Sequence, residues 1–228
     1  MVKSFKHKLE RGEPVLVINP DHPSPSLVEF LGRLPVDAVW IDCEQGSADI
    51  ESVENMTRAA RVNSLVSLVR IFSPEEWVIE RYMGRGVDGI VVPRLETATQ
   101  AMDVVKAVRY CYPKNHQEKI IVAQIETRSA LETLDEFLRV DGIDVYFIGP
   151  VDLAKSLGFE GDFRRPQVQG AINAAIEKIR SADKVAGILV DRENTRGYVD
   201  KGVGFLYGHA NDFLALGAEY FAHKMGDR

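Results

Sequence analysis

Ile120-Ile121-Val122-Ala123-Gln124-Ile125-Glu126-Thr127 and its later counterpart Val145-Tyr146-Phe147-Ile148-Gly149-Pro150-Val151-Asp152-Leu153 decide how this chain is read. Each begins as a continuous apolar run, the pattern of a strand buried on both faces. Each then delivers one carboxylate, Glu126 in the first and Asp152 in the second. The amphipathic stretch between them, Ser129 to Val140, reads as a helix. Two parallel strands joined by a helix carry both carboxylates to the same end of a sheet. Acidic groups brought together with no obvious basic partner suit a hard divalent cation held through oxygen. The same placement also fits strand-end residues that cap the next helices. Gln124 lies two residues before Glu126, on the same strand face, and favours the metal reading.

Working outward, the same unit recurs. Further apolar runs are Val15-Leu16-Val17-Ile18, Ala38-Val39-Trp40-Ile41, Val66-Ser67-Leu68-Val69 and Gly89-Ile90-Val91-Val92, then Ala186-Gly187-Ile188-Leu189-Val190 and Gly204-Phe205-Leu206-Tyr207. Helix-like segments such as Ile50 to Val62, Thr97 to Tyr110 and Gln167 to Ala182 separate them. Gly86-Val87-Asp88-Gly89 and Asp141-Gly142-Ile143-Asp144 read as turns from helix into strand. Strict alternation predicts a parallel sheet. Eight units in a chain of 228 residues predict an α/β protein, one (β/α)8 TIM barrel spanning residues 1–228. An open doubly wound sheet competes, but no Gly-x-Gly-x-x-Gly follows the first strand, so a dinucleotide site has no support.

Composition excludes several partners. A net charge of -6 argues against nucleic acid. No apolar run approaches the ~20 residues that span a bilayer, so no membrane association is expected. Met1 to Lys8 lacks the apolar stretch of a signal peptide. Cys43 and Cys111 form no metal or redox motif and read as free thiols in a reducing cytoplasm.

In a barrel, reactive groups come from the carboxyl ends of the strands. Here those ends carry Asn19-Pro20, Asp42-Cys43-Glu44-Gln45-Gly46, Arg70, Pro93-Arg94, Gln124 with Glu126 and Thr127, Gly149-Pro150 with Asp152, Asp191, and Gly208-His209. Arg70 can fork onto a carboxylate or polarise a carbonyl oxygen, and a salt bridge to Asp42 or Glu44 is compatible with either. Asp42 and Glu44 share a face and could orient Arg70 and metal-bound waters, or be ligands themselves. Lys119 and Lys184 fall at the amino ends of strands and Lys155 falls past strand six, which disfavours imine chemistry and favours metal-assisted chemistry on a carbonyl. No phosphate loop is convincing, so a phosphorylated substrate is not expected.

At these residues the chain resembles the HpcH/HpaI family of class II, pyruvate-dependent aldolases, of the 4-hydroxy-2-oxoheptanedioate and 2-dehydro-3-deoxyglucarate aldolase types. The resemblance runs nearly end to end. It rests on Trp40-Ile41-Asp42-Cys43-Glu44-Gln45-Gly46, Val69-Arg70-Ile71, Gly86 to Pro93, Gln124 to Thr127 and Phe147 to Leu153. It implies a (β/α)8 barrel, a divalent cofactor (Mg2+ or Mn2+), and cleavage of a 4-hydroxy-2-oxo acid to pyruvate and an aldehyde through a pyruvate enolate, with oxaloacetate decarboxylation as a companion activity. It implies Glu126 and Asp152 as metal ligands, Gln124 as their support, and Arg70 on the keto oxygen of the 2-oxo acid. It further implies that the backbone N–H groups of Val151 and Asp152 bind the substrate carboxylate. A homo-oligomer, a hexamer, is implied too, and Tyr220 to Lys224 at the end of the last helix could pack on a neighbouring subunit.

Two departures stand out. Family members carry a histidine, taken as part of the acid/base machinery, where this chain has Gln45. An amide exchanges no proton near neutral pH. Gln45 could orient a water or a substrate hydroxyl, or it could mark a protein that binds metal and 2-oxo acid with weakened catalysis. Decarboxylation needs no base to start bond cleavage, so it should survive better than aldol cleavage. The second departure is a short loop, Tyr112 to Lys119, where relatives have a long Gly- and Arg-rich one. The aldehyde partner is therefore not inherited.

Overall fold

The computed structural model describes residues 1–226. Each apolar run forms a strand: β1 Val15–Asn19, β2 Ala38–Asp42, β3 Val66–Arg70, β4 Gly89–Val92, β5 Ile120–Ile125, β6 Val145–Ile148, β7 Val185–Leu189 and β8 Phe205–His209. All pair in parallel with their sequence neighbours, and β8 pairs with β1 to close the barrel. The expected (β/α)8 architecture is what the chain adopts.

Side chains alternate along a strand, and the alternation sorts the core into two. Val17, Trp40, Leu68, Val91, Val122, Phe147, Phe205 and Tyr207 fill the barrel interior. Trp40 lies 5.1 Å from Phe147 and 4.5 Å from Tyr207 between ring centroids. Residues of the opposite parity, such as Val39, Ile41, Val69, Ile121 and Tyr146, pack outward against the helices. Carried one step towards the carboxyl end, the inward parity falls on Asn19, Asp42, Arg70, Gln124, Glu126, Gly149 and His209. The strand period therefore selects which polar residues face the barrel mouth.

The amino end is closed by a helix, Val2–Glu10, which places Phe5 and Leu9 against the interior cluster. The turn echoes read from the sequence have a shared job there. Asp37, Asp88 and Asp144 each precede an even-numbered strand, and each accepts a hydrogen bond from the first turn of backbone on the strand before it: Leu16 N, Ser67 N and Ile121 N, all at 2.9 Å. Each carboxylate thus satisfies an N–H at the barrel's lower rim and fixes register.

One difference from the sequence expectation concerns a helix. Ser129 to Val140 is not one helix but two short ones, Arg128–Glu132 and Leu134–Phe137. The break falls at Thr133, whose hydroxyl donates to the Ser129 carbonyl at 2.9 Å, the local side-chain bonding that weakens helices. The last helix, Ala210–Lys224, buries only Ala210. Leu214 is 67% exposed and Phe221 68% exposed. No described helix is long and apolar enough to cross a membrane.

Candidate active site

Asp42 and Arg70 end β2 and β3 in direct register. Arg70 Nε donates to Asp42 Oδ1 at 2.8 Å and Nη2 to Oδ2 at 2.5 Å. Its third nitrogen, Nη1, lies 3.2 Å from Glu44 Oε2. The salt bridge expected from Arg70 to Asp42 or Glu44 is therefore made to both at once. Burial pushes the Asp42 carboxyl up, but the Arg70 hydrogen bonds and charge, with the Gln45 and Glu44 N–H groups, outweigh it and hold the group below its ordinary value. Glu44 shifts the other way: burial raises it, against the pull of Arg70 and Arg94.

The network continues to the second half of the mouth. Glu44 Oε1 lies 3.2 Å from Arg94 Nε, and the Arg94 N–H donates to Glu126 Oε1 at 2.8 Å. Gln124 Nε2 donates to Glu126 Oε2 at 2.7 Å. Glu126 is only 3% exposed. Burial first, then the Glu44 and Asp152 charges, push its carboxyl up to about 7 despite the Arg94 N–H and the Arg70 charge. Gly149 begins the helix Pro150–Ser156 and presses against this carboxylate. A Cβ there would stand 2.6 Å from Glu126 Oε2, so the close approach requires glycine.

Asp152, in the first turn of that helix, needs one correction to the sequence expectation. It does have a basic partner: Lys155 Nζ lies 2.8 Å from Asp152 Oδ1. Three residues of helix bring Lys155 back to the first turn, so it approaches the mouth more closely than its position past strand six suggests. Cys43 lies on the outward parity, and burial pushes its thiol up to about 11, which leaves it unsuited as a nucleophile.

The donor set fits a hard divalent cation. Glu126 is a buried carboxylate whose oxygens accept from two neutral N–H donors, of Arg94 and Gln124, and burial with the nearby Glu44 and Asp152 charges raises its pKa, which a bound cation would offset. Beside it, the enclosed Gln124 Oε1 has no hydrogen-bond partner among the described residues. Asp152 is close enough to raise Glu126 electrostatically. Two carboxylates would leave further coordination positions to water or substrate oxygens.

A cavity of about 270 Å³ opens beside Arg70, lined by Asn19, Asp21, Asp42, Gln45, Arg70 and His209 among others. It lies towards the ends of β1 and β8, a side that sequence reasoning did not assign. Asp21 and His209 form a pair there, with His209 Nδ1 2.5 Å from Asp21 Oδ1. The signal was available: His209 ends a strand on the inward parity. Its partner could not be read, because it comes from a loop at the other end of the chain.

A closed parallel barrel with acids and an arginine gathered at its carboxyl end defines the class as a (β/α)8 barrel with an enzyme-like mouth. Residues 21–217 match the HpcH/HpaI aldolase/citrate lyase family, and the chain belongs to that family. A hydroxypyruvate/pyruvate aldolase of Agrobacterium fabrum (strain C58) is 32% identical across 95% of this chain and 92% of the relative. A 4-hydroxy-2-oxo-heptane-1,7-dioate aldolase of Escherichia coli is 29% identical across 99% of this chain and 96% of its own length. The fold is shared with an HpcH/HpaI aldolase/citrate lyase family protein of Burkholderia cenocepacia J2315, at a TM-score of 0.89 and 24% identity, covering 97% of this chain and 98% of that one.

Proposed function

We propose that this protein is a class II, divalent-metal-dependent carbon–carbon lyase that cleaves a 4-hydroxy-2-oxo acid to pyruvate and an aldehyde, with oxaloacetate decarboxylation as a companion activity. The aldolase names of the relatives support the reaction class. The single observation that carries the reading is Arg70, forked onto Asp42 and braced by Glu44, beside a buried carboxylate, Glu126, that forms no ion pair among the described residues.

Glu126 and Asp152 would hold Mg2+ or Mn2+, which supplies a Lewis acid for the 2-oxo group. Gln124 holds the Glu126 carboxylate in place through its amide. Arg70 presents fixed positive charge to the keto oxygen, where negative charge grows as the carbon–carbon bond breaks. Asp42 and Glu44 position that guanidinium. The first-turn N–H groups of Val151 and Asp152 have no intrahelical acceptor and would take the substrate carboxylate. Two free thiols suit a reducing cytoplasm. The exposed apolar face of the last helix suits a homo-oligomer, a hexamer on the family pattern.

A second reading is a protein that binds metal and 2-oxo acid with weakened turnover. It is favoured by Gln45, which lines the cavity and carries an amide that exchanges no proton.

Titrating the chelated protein with Mn2+ tests the site that both readings share. One Mn2+ per chain is expected, bound more tightly when pyruvate is present, and Glu126→Gln or Asp152→Asn should each abolish it. Unchanged affinity in both variants would reject the assignment.

A further inference from the structure

Gln45 stands where the family resemblance implies a histidine, so aldol cleavage still needs a base. Two imidazoles line the same cavity, the exposed His22 and the half-buried His209, and it is His209 that has a carboxylate fixed behind it. His209 ends β8 and Asp21 follows β1, and the two strands pair in register up to Asn19 and His209. Asp21 is committed on every side. Its Oδ1 takes His209 Nδ1 at 2.5 Å and its Oδ2 accepts from the Asn211 N–H at 2.8 Å. Its own N–H donates to Asn19 Oδ1 at 2.9 Å, and Asn19 Nδ2 in turn donates to the Tyr207 hydroxyl at 3.0 Å. The Tyr207 ring packs edge-on to the imidazole, 5.1 Å between centroids. Asp21 holds a left-handed backbone conformation, φ 64°, which a non-glycine residue adopts at a cost. The Asp21 side chain is 11% exposed and that of His209 35%. A carboxylate thus fixes Nδ1 in a sheltered position, and Nε2 is left as the nitrogen that can serve the cavity shared with Asp42, Gln45 and Arg70. A carboxylate behind one imidazole nitrogen sets the tautomer and stabilises the imidazolium that forms when the other takes a proton. The remaining titratable and charged groups lining or touching this space are His22, Asp42, Arg70 and Tyr207.

We propose that His209, oriented by Asp21, is the acid/base group of this chain. The inference rests on the lyase reading above. In the cleavage direction, His209 Nε2 takes the proton of the substrate's 4-hydroxyl. The O–H electron pair becomes the carbonyl bond of the aldehyde, and the C3–C4 bond breaks. Its electrons form the C2–C3 double bond of pyruvate enolate, with the negative charge on the oxygen facing Arg70. The imidazolium then returns the proton to C3, giving pyruvate. His209 is neutral again and no other reactant is consumed. His209 is thus the catalytic residue and Asp21 its positioning residue.

The bland alternative is a fastening: Asp21 and His209 merely tie the first loop to the start of the last helix. The experiment uses the full chain with Mg2+ or Mn2+ and follows two reactions, retro-aldol cleavage of a 4-hydroxy-2-oxo acid and decarboxylation of oxaloacetate, which needs no base to start. His209→Gln should lower the ratio of cleavage to decarboxylation by ~10^2 or more, the scale of a positioned base. Asp21→Asn should lower that ratio less, and through the cleavage kcat with KM unchanged, because the imidazole loses the carboxylate that orients it. Adding Gln45→His to His209→Gln should recover part of the ratio. If His209→Gln leaves the ratio unchanged, whether both rates hold or both fall together, the pair is a fastening and the proposal is overturned. Decarboxylation without any cleavage by the unmodified protein would also overturn it, while leaving the metal and 2-oxo-acid site standing. Neither reaction in the unmodified protein would remove the lyase reading and this inference with it.

Discussion

Arg70 and Asp42 are joined by two side-by-side hydrogen bonds at the mouth of the barrel, between strand-end residues that are exact register partners. Parallel pairing points both side chains the same way, so the fork follows from register and not from a chance of rotamers. It leaves Nη1 for Glu44 and holds the guanidinium rigid at the oxygen it is proposed to serve. A lysine would keep the charge and lose the fork. Arg70→Lys should therefore lower the pyruvate-forming kcat by roughly 10^2, the loss seen when one fixed donor to a growing oxyanion is removed. Turnover within threefold of the original would assign Arg70 to structure alone.

Asp42→Asn should cost about 3 kcal/mol of folding stability, the low end for breaking a buried pair, since Glu44 still faces Arg70. The pH dependence has a definite sign. The folded-state pKa of Asp42 is depressed, so its contribution is present above the unfolded value of ~3.9 and is lost as pH falls through the lower folded value. Denaturant titrations should show a steady gap between the two proteins from pH 5 to 8 that closes below about pH 4. A gap that widens in acid would contradict the assignment.

Glu126→Gln should act in the opposite direction in the presence of a chelator. The folded pKa of Glu126 is raised to about 7. Its ionisation therefore weakens the metal-free fold as pH rises from ~4.3 towards 7. A neutral amide avoids that penalty, and the free Gln124 Oε1 can turn to accept from it. The variant should unfold at a higher temperature than the unmodified protein at pH 8 and at the same temperature near pH 4. A lower melting temperature at pH 8 would show that Glu126 is stabilised by something other than a cation.

Gly149→Ala probes the cradle. The new methyl would meet Glu126 Oε2 at 2.6 Å and Glu126 Cβ at 2.9 Å, so the carboxylate must move. Mn2+ affinity should fall at least ~10-fold, because ligation depends on ligand geometry. Affinity equal to that of the unmodified protein would mean the metal does not sit on this oxygen.

The last helix carries Phe213, Leu214, Tyr220 and Phe221 exposed. A single charge in that face, Leu214→Asp, should reduce the mass measured by light scattering if the face is covered by a second copy. An unchanged multimeric mass would place the interface elsewhere, and a monomeric unmodified protein would remove the oligomer proposal.

The sequence was most legible where one periodicity dominates. Buried strands leave continuous apolar runs, so all eight strands and their order could be read from Val15 to Tyr207. The same period put Asp42, Arg70, Gln124 and Glu126 at one rim, because a strand offers only two faces. The helices were less legible. Thr133 interrupts an amphipathic pattern through a side-chain hydrogen bond that periodicity does not register. Lys155 falls past strand six in sequence, and its pairing with Asp152 depends on where each side chain leaves the helix, which the sequence position alone does not give. The Asp21–His209 pair was hidden for another reason: its residues meet only because β8 closes on β1, and closure is a property of the whole sheet.

Metal-dependent pyruvate release can be followed from a panel of 4-hydroxy-2-oxo acids and oxaloacetate, with the protein first stripped by chelator and then given Mg2+ or Mn2+. Pyruvate should appear only after the metal is restored, and not from the Glu126→Gln protein under the same conditions. Equal release in chelator, or none from any member of the panel after metal is restored, would contradict the proposed function.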